Sequence, residues 1–415
     1  MNNRTIPTIA ALFLLGMGVF FAGMWTTYQD WQPWQLVTQV QAIWRSVRAT
    51  GEIQPERSFT RRYHPAERYV VADPAAVSPG LLAINRYDPV EKSYVLDLMD
   101  ETGKVLHTRR IDYSKLVAGG PPKEFVHIAT VLPDGSALVA FDDATALARL
   151  DACGDPIWAL TDQVYHHSIK PGDDGYWTWQ SAVFGAGLDQ RMVRFDPETG
   201  KILESIDLID DVIGQSDANA IAMLTPKGFE FNRSGGPGEV ADLFHPNDVE
   251  PLRASMAAAF PLFTTGDLLV SMRNMNMLAV IDRKTYKVLW AQYGPWHRQH
   301  DADFQPDGTI TVFSNNTERY RSSIFQVDPK TGAVVDLFRA SDLDFDSGIM
   351  GKQQRMATGN WLITSPMEGR VIEVSATGKM VREFNNILNA QYNSIVPYAE
   401  YLAPGYLKSI PVCTK

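Results

Sequence analysis

The chain reads as an all-β, six-bladed β-propeller preceded by one N-terminal transmembrane helix. Three observations predict this: a strand-and-turn unit that occurs six times, a second turn that repeats in the same register, and an apolar, charge-free run from Ile6 to Trp25.

The first register is a turn around Thr-Gly-Lys. It appears as Thr102-Gly103-Lys104, Cys153-Gly154-Asp155, Thr199-Gly200-Lys201, Thr285-Tyr286-Lys287, Thr331-Gly332-Ala333 and Thr377-Gly378-Lys379, with central residues 51, 46, 86, 46 and 46 apart. A period of about 46 residues, built only of strands and turns, marks four-stranded propeller blades rather than helical solenoids. The second register is a turn around Asp-Gly, seen in Leu132 to Gly135, Gly172 to Gly175, Thr264 to Asp267, Gln305 to Gly308 and Ala357 to Asn360. Alternating apolar runs such as Leu268 to Met272 and Leu278 to Asp282 lie between the turns and suit sheets stacked face to face. Trp158, Trp177, Trp179, Trp290 and Trp361 are expected as core between those sheets, and the aspartates of the turns as backbone-capping turn formers.

The long interval places an insertion over about 210–261. Its Ser234 to Gly238 has loop composition and Leu252 to Phe260 reads as a short helix. The expected organisation is a cytoplasmic tail (1–5), an anchor (6–25), a stalk or linker helix (26–65), the propeller (66–390) and a C-terminal segment (391–415).

About 20 apolar residues suffice for a helix to cross a membrane. Arg4 precedes the run and the next basic residue is Arg45, so the positive-inside rule puts the bulk of the chain outside the cytoplasm, held single-pass on the periplasmic face of the inner membrane. A cleaved signal peptide is the rival reading, but no A-x-A-like site follows the run. Cys153 and Cys413 would then sit in an oxidising compartment, either as a closing disulfide or as two free thiols. No Cys/His spacing typical of a metal site occurs, so neither metal nor cofactor is expected. A net charge of −10 without a basic run excludes a nucleic-acid surface, and an anionic ligand would need a local cluster of Arg and His.

Such a cluster is legible. His127, His167 and His300 each stand seven residues before the Asp of an Asp-Gly turn, on the first and innermost strand of a blade, so they are expected to converge on the axis. His245, in His245-Pro246-Asn247-Asp248, would join them from the end of the insertion, and Arg273 would follow the first strand of the fourth blade. A lone in-register histidine is more often a satisfied hydrogen-bonder than a catalyst; convergence of several argues for chemistry. His166 is expected to point the other way along its strand and to be structural, His297 to lie in a loop, and His64 and His107 to fall outside the register.

His245 to Asp248, Leu269 to Asn274, Ile281 to Thr285 and Gln299-His300-Asp301-Ala302-Asp303-Phe304 resemble the bacterial arylsulfate sulfotransferases, over roughly residues 120–340. The resemblance implies a six-bladed propeller that moves a sulfuryl group from a phenolic sulfate ester to a phenol acceptor in its central channel. It implies His300 as the nucleophile that becomes transiently sulfated, His245 and Arg273 as binders of the sulfate oxygens, His167 as completing the site, and Asn247 as a further substrate contact; His127 is expected as a substrate contact from its place in the register. The alternative is a membrane-tethered, non-catalytic propeller that presents its rim to a membrane-protein partner.

Overall fold

The computed structural model describes residues 5–28, 59–61, 67–141, 144–181, 190–215, 244–318, 321–338 and 343–413. The terminal tail, most of the expected stalk, His64 and the glycine-rich part of the insertion lie outside the described residues. The chain separates into two units, Met1–Arg57 and Ser58–Lys415. The first contains a helix, Thr5–Tyr28, where the sequence predicts its anchor. Among the described residues no helix is long and apolar enough to cross a membrane.

The second unit is an all-β, propeller-like array of antiparallel sheets. Four are separate. The first runs Tyr398–Leu402, Leu81–Asp88, Ser93–Met99, Val105–Ile111; another Pro246–Pro251, Leu268–Met272, Met277–Ile281, Val288–Tyr293. The next is His300–Phe304, Ile310–Glu318, Arg321–Val327, Val334–Asp336; and the last Lys352–Arg355, Trp361–Ser365, Arg370–Val374, Met380–Asn385, with Tyr69–Val71 added outside. A fifth sheet has seven strands, from Val126–Val131 to Ile202–Asp207, because Pro156–Gly172 continues through both the second and third repeats. Its first half pairs with Thr145–Leu150 and its second half with Gly175–Ser181. The expected six separate blades are therefore corrected to four separate sheets and one of double width. No turn residue interrupts Thr161 to Tyr165, so the chain passes from one repeat to the next as unbroken strand.

Two boundaries also differ. Pro246–Pro251, read as insertion, is the first strand of its sheet, paired to Leu268–Met272. The short helix Ala254–Ala257 lies between these two strands rather than inside the insertion. The segment after 390 is not an appendage: Tyr398–Leu402 alternates in the strand manner and supplies the innermost strand of the first sheet. This explains why the Asp-Gly turn occurs five times and the Thr-Gly turn six. Phe59–Arg61, placed in the stalk, likewise pairs with Tyr392–Ser394.

The core lies between neighbouring sheets, as the tryptophans predict. Trp177, Trp179 and Met192 pack on Val249, Val270 and Met272. Leu269 and Val280 pack on Phe304 and Val312, and Phe313 and Ile324 on Ile363 and Ile372. Each such side chain contributes roughly 1.5–3 kcal/mol by leaving water. The turns are capped as expected: Asp100 Oδ1 accepts from the backbone N–H of Thr102 and Lys104, and Asp151 Oδ1 from those of Cys153 and Asp155. At the turn centre Gly154 has φ +80°, and a Cβ there would come within 2.2 Å of the Arg110 carbonyl oxygen. In the fourth repeat Tyr286 takes the same left-handed conformation at φ 61°.

Cys153 and Cys413 form a disulfide across 260 positions, tying the chain's end to the second repeat. Replacing both by serine is expected to cost about 2–5 kcal/mol, because a very long loop is released in the unfolded chain. A urea titration of the full-length protein checks it; an unchanged midpoint would mean that the closure adds nothing.

Candidate functional site

Five inner strands, Val126–Val131, the second half of Pro156–Gly172, Pro246–Pro251, His300–Phe304 and Lys352–Arg355, follow one another in contact, and Tyr398–Leu402 closes the circuit back to the first. Near the start of the first four, pairing is interrupted: the register shifts between Val126 and Ile128, between Pro246 and Asp248, between His300 and Ala302, and opposite Thr178 and Trp179. A bulge re-aims side chains that strict alternation would send elsewhere. The backbone shows it directly, with φ +64° at His167, +44° at His245 and +52° at Asp301.

These bulges gather the expected histidines. The His167 ring lies 5.1 Å from that of His127, 5.0 Å from His245 and 6.3 Å from His300, centroid to centroid. His127, His167 and His300 are buried. Arg273 starts a single 3-10 turn after Leu268–Met272, and its backbone N–H donates to the His245 carbonyl. Arg273, Asn274, Asn276, His297 and Arg298 line an open cleft of about 350 Å³ with no acidic residue. Arg273 thus borders a polar opening whose lining is cationic, against the acidic average of the chain. Asn247, expected as a substrate contact, donates its amide N–H to the Gln299 carbonyl oxygen at 2.6 Å, which fixes the strand carrying His300.

Hydrogen bonds define the protonation of His300. Its Nδ1 faces two acceptors, the Arg298 carbonyl oxygen at 3.0 Å and Asn315 Oδ1 at 2.7 Å. The Asn315 amide nitrogen is committed to the carbonyls of Ser347 and Met350, so its oxygen must be the atom turned to His300. Nδ1 therefore carries the proton and Nε2 the lone pair. Burial holds the His300 ring well below the usual imidazole range. The Arg273 guanidinium adds to this, as do His245 and His127, while the Asn315 hydrogen bond opposes it. His167 is lowered by burial and by the four neighbouring imidazoles. Neutral imidazoles beside a fixed guanidinium can attack an electrophile or accept a proton, and can hold an anion.

Sequence reasoning missed the residues that support this cluster. His166, set aside as structural and expected to point away, is turned by the bulge so that its Nδ1 lies 2.7 Å from His167 Nδ1. Gln299 is fully buried and donates to Ser271 Oγ and to the carbonyls of Met272 and Met277, locking neighbouring strands together. Beneath the histidines lies a buried ionic floor. Lys170 Nζ donates to Asp301 Oδ1 at 2.9 Å and to Asp303, and Lys352 Nζ to Asp301 Oδ1 at 2.9 Å. Burial alone would lower Lys170, but Asp248, Asp301 and Asp303 hold its ammonium well above the usual lysine range. Asp248, Asp301 and Asp303 are close enough to hold a cation, and the Lys170 ammonium already serves them as one. A signal existed: Lys170, Asp248 and Asp303 each stand three residues after a clustered histidine.

The fold and the cluster together define a propeller-like protein with an imidazole-rich centre able to receive an anionic group. The profile of the arylsulfotransferase (ASST) family matches residues 128–387, more than half of the chain, and the chain belongs to that family. No curated protein matches it. Among solved structures it is similar to a protein of unknown function from Bacteroides caccae, at 10% identity and TM-score 0.46, covering 74% of this chain and 94% of that one. It is also similar to the Dos1 propeller, at 12% and 0.38, covering 79% and 76%. A third is the inactive virginiamycin B lyase of Staphylococcus aureus, at 12% and 0.42, covering 76% and 87%. Likenesses this distant carry no argument about the chemistry here.

Proposed function

We propose that the protein transfers a sulfuryl group from an aryl sulfate ester to a phenolic acceptor through a sulfohistidine at His300. The observation that carries this reading is the His300 tautomer: two acceptors at Nδ1 leave Nε2 with the lone pair that a nucleophile needs. In the first half-reaction Nε2 attacks sulfur, the S–O bond to the aryl group breaks, and the phenolate departs with the bonding electrons. In the second, the acceptor phenol oxygen attacks sulfur, the N–S bond breaks back to Nε2, and the acceptor proton passes to an imidazole and from it to solvent, which protonates the phenolate that has already left. Two displacements replace one difficult transfer, with ping-pong kinetics. Arg273 and His245 suit the sulfuryl oxygens, Arg273 as a permanent planar donor, with His127 and His167 around them. The reading invokes neither metal nor cofactor.

In the same reading the seven-stranded sheet serves as two blades, giving six around the axis, as the circuit of six inner strands supports. The protein is held to the inner membrane by residues 6–25 with its propeller outside the cytoplasm. The charge-free run supports this, as does the disulfide, which an oxidising compartment preserves.

Mixing the full-length protein with a chromogenic aryl sulfate, with no acceptor, is expected to release up to one phenol per chain and to add one sulfuryl mass to the peptide carrying His300. Added phenol should discharge it. Absence of both the burst and the adduct would overturn the proposal and favour a binding module.

A further inference from the structure

His167 is the hub of the imidazole cluster, and one of its hydrogen-bond partners is another histidine that is itself held by an amide. His166 Nε2 lies 3.0 Å from Gln190 Oε1, and His166 Nδ1 lies 2.7 Å from His167 Nδ1. All three side chains are buried. Two abutting Nδ1 atoms need one proton between them, and the chain of donors decides who owns it. Gln190 presents an oxygen, an acceptor only, so His166 Nε2 must be the N–H. A neutral His166 then has its lone pair on Nδ1, and His167 Nδ1 must donate to it. The remaining nitrogen of His167, Nε2, carries the lone pair.

We propose that Gln190 and His166 are positioning residues that fix His167 as the Nδ1–H tautomer and so make it the general base that takes the acceptor phenol's proton. This rests on the sulfuryl-transfer reading above. It assigns work within it: His300 carries the sulfuryl group while His167 Nε2 receives the proton as the phenol oxygen bonds to sulfur. The proton then leaves His167 to solvent, matching the one that the departed phenolate takes up there, so the cycle balances. The left-handed backbone at His167 has a function in this arrangement, since strict strand alternation would put the adjacent rings on opposite faces. Burial and the surrounding imidazoles keep His167 uncharged, as a base must be before reaction.

Nitrogen-15 NMR of full-length protein carrying labelled histidine, with the His167 signals assigned by their loss in His167→Asn, reads the tautomer without any turnover. Nδ1 is expected protonated and Nε2 unprotonated; the opposite tautomer in the wild type would overturn the proposal whatever the activity. His166→Phe should mix the tautomers and lower kcat/KM by about a hundredfold, the lower range of a general base's contribution. His166→Asn, whose side-chain oxygen can still accept from His167 Nδ1, should restore most of both. Equal losses in the two variants with an unchanged tautomer would mean that His166 only fills space. An inactive wild type with the expected tautomer would instead count against sulfuryl transfer, leaving the hydrogen-bond assignment standing.

Discussion

Replacing His300 by asparagine is expected to abolish the phenol burst and the sulfuryl adduct, with transfer falling at least about a thousandfold, while the fold persists. The variant separates the two jobs of the ring. An asparagine amide nitrogen lies close to where Nδ1 lies, so it can keep donating to Asn315 Oδ1 and the Arg298 carbonyl. What disappears is Nε2, the only ring atom with a lone pair. A stable variant that still transferred sulfuryl groups would place the nucleophile elsewhere. The wild-type pH profile adds a second reading of the same atom. Because burial first, and then the Arg273 charge, hold His300 below the usual imidazole value of 6.5, it stays neutral through mildly acid solution. The acid limb of kcat/KM is accordingly expected below that value, and a limb above it would mean that another group controls attack.

How far the sequence alone reaches can be judged from these residues. The in-register spacing of His127, His167 and His300 was sufficient to expect their convergence, since a repeated strand position maps onto a repeated place around an axis. His245 and Arg273 followed from their places beside that register. What the spacing could not carry was the local backbone. The bulges at these strand starts decide which way each ring points, and they alone bring His166 into contact with His167 and turn Asn247 to the Gln299 carbonyl. The sheet count failed for a related reason. Repeats are counted by turns, and the passage from the second repeat to the third has none, so the sequence register marks two units where hydrogen bonding makes one sheet. The closing strand escaped notice because its partner, Leu81–Asp88, lies more than three hundred positions away. The ionic floor went unseen because Asp301 and Asp303 enter the sequence reading only as part of the stretch Gln299 to Phe304, while Lys170 and Lys352 reach Asp301 from other strands.

That floor carries the second large expectation. Asp301→Asn keeps the shape of the side chain and removes its charge, and is expected to cost about 3–5 kcal/mol in a urea titration at neutral pH, because breaking a buried ion pair strands its partners. Asp301 Oδ1 accepts from both Lys170 and Lys352 and its Oδ2 from the Gln353 backbone N–H at 2.6 Å. Lys170 keeps Asp303 and Asp248 in the variant, so the loss should concentrate on Lys352. Adding Lys352→Met to Asp301→Asn, which removes the stranded charge, should recover part of the loss, and the non-additivity of the pair measures their coupling. The pH dependence has a definite sign. Burial works against the Asp301 carboxylate, but Lys170, Lys352 and the Gln353 N–H hold its pKa down to about 2. A depressed carboxylate contributes stability above its unfolded value of 3.8 and loses it as pH falls toward 2, so wild type and variant should converge only in strong acid. Glu250 runs the other way: burial raises it to about 7, so its contribution is whole below 4.5 and is lost as pH rises through 7. Asp301 therefore governs the acid side of the stability curve and Glu250 the neutral side. A variant as stable as the wild type at neutral pH would mean that the lysines find equal partners among the remaining carboxylates, and that the floor is a charge pool rather than a specific pairing.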